Sequence, residues 1–223
     1  LERYADLPEP VEARRRLLQT ASGLTEGALP PERFTAGYTG HLYAGRGVEL
    51  LLELARRLPE MTFLLAGGEP PEIDRLRSQI VAERLENIVL TGFIPNEKLP
   101  LYQAACEVLL MPYQRRVAAS SGGDIARYLS PMKVFEYLAC GRAILSSDLP
   151  VLRETLNAEN AILLPSHDVD AWALALQRLR DLPDERLRLA RRARQDAAQY
   201  TWEARASRIF DLIFAQTEPV SIR

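Results

Sequence analysis

The chain has 223 residues, of which 47% are apolar and 26% charged, and a formal net charge of −2. That supplies a core for one large α/β domain or two small ones, and the charge excludes a global attraction to nucleic acid or acidic lipid. No stretch reaches the roughly 18 to 20 consecutive apolar residues of a membrane-spanning helix, and Cys106 and Cys140 stand singly in apolar segments, which excludes a disulfide framework and a cysteine zinc site.

Residues 1–30 are rich in Pro, Arg and Glu. With no initiator Met and no secretion-signal pattern, they read as the lead into a domain cut from a longer chain. The expected location is the cytoplasm, with room for peripheral contact at the inner membrane face. Beyond this lead, short β-prone runs alternate with longer helical patterns. Strands are predicted at Phe34–Thr39, Met61–Ala66, Asn87–Thr91, Glu107–Met111, Ala143–Ser146 and Ala161–Leu164. Between them, helices are predicted at Gly47–Leu58, Pro70–Arg84, Glu97–Ala105, Pro131–Ala139 and Val151–Leu156. After Leu164 the pattern is all helical, at Val169–Arg180, Asp184–Ala198 and Thr201–Ala215. The last of these carries an apolar stripe through Trp202, Ala206, Ile209, Phe210 and Ile213. Gln114–Asp124 reads as a loop, and His167 belongs to a turn and helix cap with no role assigned.

Apolar strands alternating with helices imply a parallel sheet covered on both faces, and right-handed crossovers make it a doubly wound, Rossmann-like α/β fold of about six strands. In the common order 3-2-1-4-5-6 the first and fourth strands are neighbours, and ligands bind outside the carboxyl ends of the strands at that switch point. The loops Gly40–Gly47 and Pro112–Ser130 should therefore meet.

Two segments in those loops carry chemistry. "GYTGHLYAGRGVEL" sets Gly37, Gly40, Gly45 and Gly47 between a strand end and a helix start, where phosphates can approach backbone N–H groups. It matches neither the dinucleotide fingerprint nor the P-loop, and plain turn chemistry accounts for it equally well. "SPMKVFEYLACGRAILSSD" places Ser130 as N-cap and Pro131 as first helical residue. Lys133 then falls in the first turn, where the helix dipole disfavours a cation by roughly 0.3 to 1 kcal/mol. A nearby anion would offset this, whereas a local Lys-before-Glu pair contributes only about 0.2 to 0.5 kcal/mol in the less favourable order. Lys133 is one of only two lysines, with Lys98. Glu136 shares a helix face with Met132, Ala139 and Cys140, and a half-buried carboxylate needs donors such as the paired hydroxyls of a ribose.

These residues resemble the family 4 retaining glycosyltransferases. "SPMKVFEYLACGRAILSSDLPVLRE" is similar to the donor-site segment in its Ser-Pro-aliphatic-Lys variant, and "GYTGHLYAGRGVELLLELARRLP" to the glycine loop. "NIVLTGFIPNEKLPLYQAACEVLLMP" is similar to the central strand-helix-strand, "LERYADLPE" to the linker entering the carboxyl-terminal domain, and "YTWEARASRIFDLI" to its closing helix. The resemblance implies the carboxyl-terminal half of a GT-B architecture, divided as a linker and extension at 1–30, a nucleotide-sugar-binding domain at 31–200 and a closing helix and tail at 201–223. It implies a nucleoside diphosphate sugar as substrate, no metal or other cofactor, no nucleic acid partner, and an acceptor domain supplied by a missing amino-terminal half. Glu136 would bind the ribose hydroxyls, Arg46 and Lys133 would neutralise the diphosphate as the catalytic cations, Gly40 and His41 would border it, and Phe93 and Ile94 would contact the base. Two positions depart from the pattern: His41 replaces an arginine after the second glycine, and Tyr128 stands where the first glutamate of a pair falls. A nucleotide-sugar epimerase of the same architecture, or a Rossmann-like interaction module without catalysis, are the alternative readings.

Overall fold

In the computed structural model, residues 2–116 and 132–214 are described. A short 3-10 turn at Glu2–Tyr4 leads to helix α1 (Pro10–Thr20). Then follow β1 (Thr35–Thr39), α2 (Val48–Arg57), β2 (Thr62–Ala66), α3 (Pro70–Glu83), β3 (Ile88–Gly92), α4 (Leu99–Ala104) and β4 (Val108–Met111). After the second loop come α5 (Met132–Cys140), β5 (Ala143–Ser147), α6 (Pro150–Arg153), β6 (Ile162–Leu164), α7 (Val169–Asp181), α8 (Pro183–Ala197) and α9 (Trp202–Phe214). Ser130, Pro131, Tyr128 and most of the Gln114–Asp124 loop lie outside the described residues.

The six strands form one parallel sheet in the order β3-β2-β1-β4-β5-β6, the order expected from the sequence. The switch point is the β1–β4 pair, registered Ala36 to Val108 and Gly37 to Leu109. Every residue of β1, β2, β4 and β5 is buried, because helices cover both faces. Leu64, Ala66, Leu109, Met111 and Ile144 face a core with Tyr102, Val134, Leu138 and Ala193. The alternate residues Phe63, Leu65, Val108, Leu110 and Leu145 face the other, with Leu51, Leu54, Trp172 and Leu176. Neighbouring strand residues thus serve opposite cores.

The residues before β1 hold an element that the sequence analysis did not name. Helix α1 lays Ala13 and Leu17 into the first core and drives Arg14 fully inside, at 0% exposure. The guanidinium donates to both carboxylate oxygens of Glu107 at 2.9 Å, to the carbonyl of Ala105 at 2.6 Å and to that of Pro31 at 2.7 Å. The carboxylate also accepts the Thr35 N–H at 2.8 Å. A buried fork of this kind tolerates its desolvation because nearly every donor and lone pair is used. Among the described residues, no helix is long and apolar enough to cross a membrane.

Candidate functional site

The carboxyl ends of β1, β2 and β3 are stitched together through glycines. Gly40 N–H donates to Ala66 O and Gly67 N–H to Gly92 O, both at 2.8 Å. A side chain on Gly67, whose φ is +126°, would place its Cβ 2.4 Å from Gly40 O, so only glycine permits this approach. On the other side of the switch point, Gly47 begins α2 with φ +84°. Its own Cβ would fall 2.0 Å from Pro112 O, and Gln114 N–H donates to Gly45 O at 2.8 Å. The loops after β1 and β4 therefore meet, as the topology requires.

Two cations converge where they meet. Lys133, in the first turn of α5, sets its Nζ 3.8 Å from the centre of the Tyr38 ring and 5.5 Å from that of Tyr113. The Arg46 guanidinium carbon lies 5.1 Å from the same Tyr113 centre. Aromatic faces attract cations, which lets two like charges approach where both are partly buried. Burial, and then the Arg46 charge, nonetheless hold the Lys133 pKa well below the ordinary lysine value, while Glu136 opposes the shift. Tyr38 and Tyr113 are themselves pushed up by burial. Arg46 Nε is buried with no hydrogen-bond partner among the described residues. The Tyr38 hydroxyl donates to His41 O at 2.6 Å and so fixes the glycine loop from below.

Glu136, three residues along α5, is half-buried. Its Oε2 accepts from Gln103 Nε2 at 3.4 Å, and the same nitrogen donates to Thr39 Oγ1 at 3.1 Å. Tyr137 Oη accepts the Thr39 N–H at 2.9 Å. Glu136 also lines a groove of about 590 Å³ with Tyr4, Phe135, Tyr200 and Trp202.

The sequence-predicted residues thus divide. Gly40, Arg46 and Lys133 come together, with the Lys133 Nζ 2.8 Å from where a Gly40 Cβ would stand, and Glu136 is close enough to act on the Lys133 charge. The His41 imidazole is exposed and stacks on Tyr43 with ring centres 4.9 Å apart. Phe93 is 76% exposed just beyond β3, and Ile94 packs partly against the first core. His167 is exposed, and the capping oxygen of α7 comes from Asp168, which accepts the Ala171 N–H at 3.0 Å. The sequence analysis missed Tyr38, Tyr113, Gln103, Thr39 and Tyr137. The first two had a signal, each being an aromatic residue at the carboxyl end of a strand flanking the switch point. Among the described residues, no group of three or more His, Cys, Asp and Glu side chains is placed to hold a metal ion.

Comparison with known proteins bears on the fold and the family. The chain is 28% identical, over 198 residues, to a D-inositol 3-phosphate glycosyltransferase of Corynebacterium urealyticum, covering 82% of this chain and 43% of that protein. It spans less than half the length of that curated relative. The crystal structure of Anabaena HepE in complex with UDP superposes with a TM-score of 0.75 at 18% identity, covering 96% of this chain and 55% of that one. The C-terminal domain of a group 1 family glycosyl transferase, LpcC of Francisella tularensis, superposes with a TM-score of 0.59 at 17% identity, over 75% of this chain and 85% of that one. The fold is therefore that of a GT-B half-domain with C-terminal helices. Residues 33–181, from the approach to β1 through α7, match the family described as Glycosyl transferases group 1, and the chain belongs to that family.

Proposed function

We propose that this chain is the donor-binding domain of a retaining glycosyltransferase and takes a nucleoside diphosphate sugar in the cleft above the β1–β4 switch point. The observation that carries the reading is the convergence of Arg46 and Lys133 on Tyr113, with a buried guanidinium N–H of Arg46 lacking a partner among the described residues. Two cations side by side and partly withdrawn from water repel, and a diphosphate relieves that repulsion while accepting the unmet donor.

In this reading Arg46 and Lys133 hold the diphosphate and stabilise the charge that grows on it as the sugar leaves, without a metal. Gly40 and the main chain at His41 border the phosphates. Glu136 binds the ribose hydroxyls and positions the donor rather than moving a proton. Phe93 and Ile94, on the loop after β3, contact the base. Tyr128 stands where the family's first glutamate falls, so no carboxylate from that position reaches the sugar, and Lys133 takes over contacts to the diphosphate. HepE holds UDP in its crystal structure, which makes a uridine nucleotide the first probe here. The acceptor site belongs to a separate domain, so the chain by itself binds donor and transfers nothing.

A thermal-shift panel of UDP, GDP and ADP tests the proposal, because a ligand that binds only the folded state raises its stability by mass action. Stabilisation by at least one nucleoside diphosphate is expected, and a flat panel at millimolar ligand would count against donor binding and favour an interaction module.

A further inference from the structure

Gln103 is a polar side chain where the packing calls for an apolar one. It sits in α4 with 0% exposure, between β1 and α5. A buried carboxamide is costly unless its groups are satisfied. The Nε2 group has two hydrogens, and both have acceptors: Thr39 Oγ1 at 3.1 Å and Glu136 Oε2 at 3.4 Å. Its Oε1 is buried without a partner among the described residues. The amide orientation follows from chemistry, since an ionised carboxylate only accepts and the nitrogen must face it.

The contacts continue beyond the amide. Thr39 Oγ1 donates to Tyr137 Oη at 3.4 Å, and Thr39 N–H donates to the same oxygen at 2.9 Å. Glu136 and Tyr137 are consecutive on α5, so the chain Glu136, Gln103, Thr39, Tyr137 closes into a ring. That ring joins the last residue of β1, the penultimate residue of α4 and two adjacent residues of α5. The glycine loop begins one residue after Thr39. Tyr4 lines the same groove as Glu136 and is nearly fully buried.

We infer that Gln103 is a positioning residue for Glu136: its buried amide holds the carboxylate in place for the ribose hydroxyls and locks it, through Thr39, to the strand that carries the glycine loop. This inference rests on the reading of Glu136 as the ribose ligand. The long Gln103 contact occupies one carboxylate oxygen lightly and leaves accepting capacity on both for a pair of hydroxyls. Holding the side chain beforehand removes the cost of ordering it when the nucleotide arrives.

The test compares UDP with 2′,3′-dideoxy-UDP, with the GDP and ADP pairs run in parallel, by calorimetry on the parent chain and on Glu136→Gln, Gln103→Met and their combination. The quantity read is the preference for the ribonucleotide. It is expected to fall about tenfold in Gln103→Met, as for loss of one hydrogen bond to a charged group, and the combined variant should lose no more than Glu136→Gln alone. Equal weakening of both nucleotides in Gln103→Met, with the preference intact, would mean a packing role and overturns the inference while leaving the ribose reading of Glu136 standing. An unchanged preference in Glu136→Gln removes that reading and the inference with it. Should Gln103→Met not fold, Thr39→Val keeps the shape but removes the anchor of the amide. A smaller fall in preference is then expected, and no change overturns the inference.

Discussion

Lys133 Nζ rests 3.8 Å from the centre of the Tyr38 ring, so a cation from the helix after β4 lies on the penultimate residue of β1. This contact explains why a lysine survives at the unfavourable end of a helix. The aromatic face supplies part of the attraction that the helix dipole withholds, and the position is reachable only because β1 and β4 are neighbours.

If Lys133 holds the diphosphate as proposed, its lowered pKa should make nucleotide binding proton-linked. Burial and Arg46 disfavour its ammonium, whereas a bound diphosphate favours it, so binding takes up a proton between the lowered pKa and the ordinary value of about 10.4. Affinity therefore falls as pH rises through that window. Calorimetry in two buffers of different ionisation enthalpy reads the uptake. Lys133→Arg should abolish it, because arginine stays charged throughout.

The same group affects stability. A base whose folded pKa lies below its unfolded value favours folding fully above the unfolded value, and that contribution is lost as pH falls through the folded value. Lys133→Met removes the titrating group, so its urea midpoint should vary less than the parent's as pH is lowered through this window.

Substitution of Glu136 by Ala should weaken nucleoside diphosphate binding by about 1 to 3 kcal/mol, roughly 5- to 150-fold in Kd. Binding of inorganic pyrophosphate should not weaken, because the carboxylate makes no favourable contact with it and its negative charge opposes it. A titration series with both ligands checks the split.

Gly47→Ala should separate the two loops. A Cβ there stands 2.0 Å from Pro112 O at a φ of +84°, a clash with backbone that no side-chain rotation relieves. A loss of nucleotide affinity larger than that of an exposed-loop substitution is expected, together with destabilisation of at least about 1 kcal/mol from the left-handed conformation alone. Denaturant unfolding and nucleotide titration measure the two effects separately.

Helix α1 belongs to the folded unit through Arg14. Arg14→Ala leaves Glu107 buried without its counter-charge, and a cost of about 3 to 5 kcal/mol follows. Arg14→Ala combined with Glu107→Gln should recover part of the loss, which a urea double-mutant cycle reads directly.

The sheet was legible because its strands are short apolar runs bounded by turns, and each differs from its predicted range by only a residue or so at either end. Helix α1 was not, because its sequence PVEARRRLLQT carries three consecutive arginines and one of its inward residues, Arg14, is of a type rarely found in a core. Lys133 and Glu136 stood out as charges inside an apolar helix. Arg46 drew notice only by its position in the glycine loop. Gln103 carried no local signal, since its partners Thr39 and Glu136 lie 64 and 33 residues away and only the fold brings them together. The exposed, Tyr43-stacked side chain of His41 likewise depends on a loop path that spacing alone does not determine.

The central claim is that Arg46 and Lys133 form one diphosphate site beside Glu136. Calorimetric titration of the parent chain, Lys133→Met and Arg46→Met with UDP, GDP, ADP and inorganic pyrophosphate tests it most directly. The account predicts that at least one nucleoside diphosphate binds the parent, and that each substitution weakens it and pyrophosphate alike. Affinities that are the same in the parent and both variants for every ligand would contradict it.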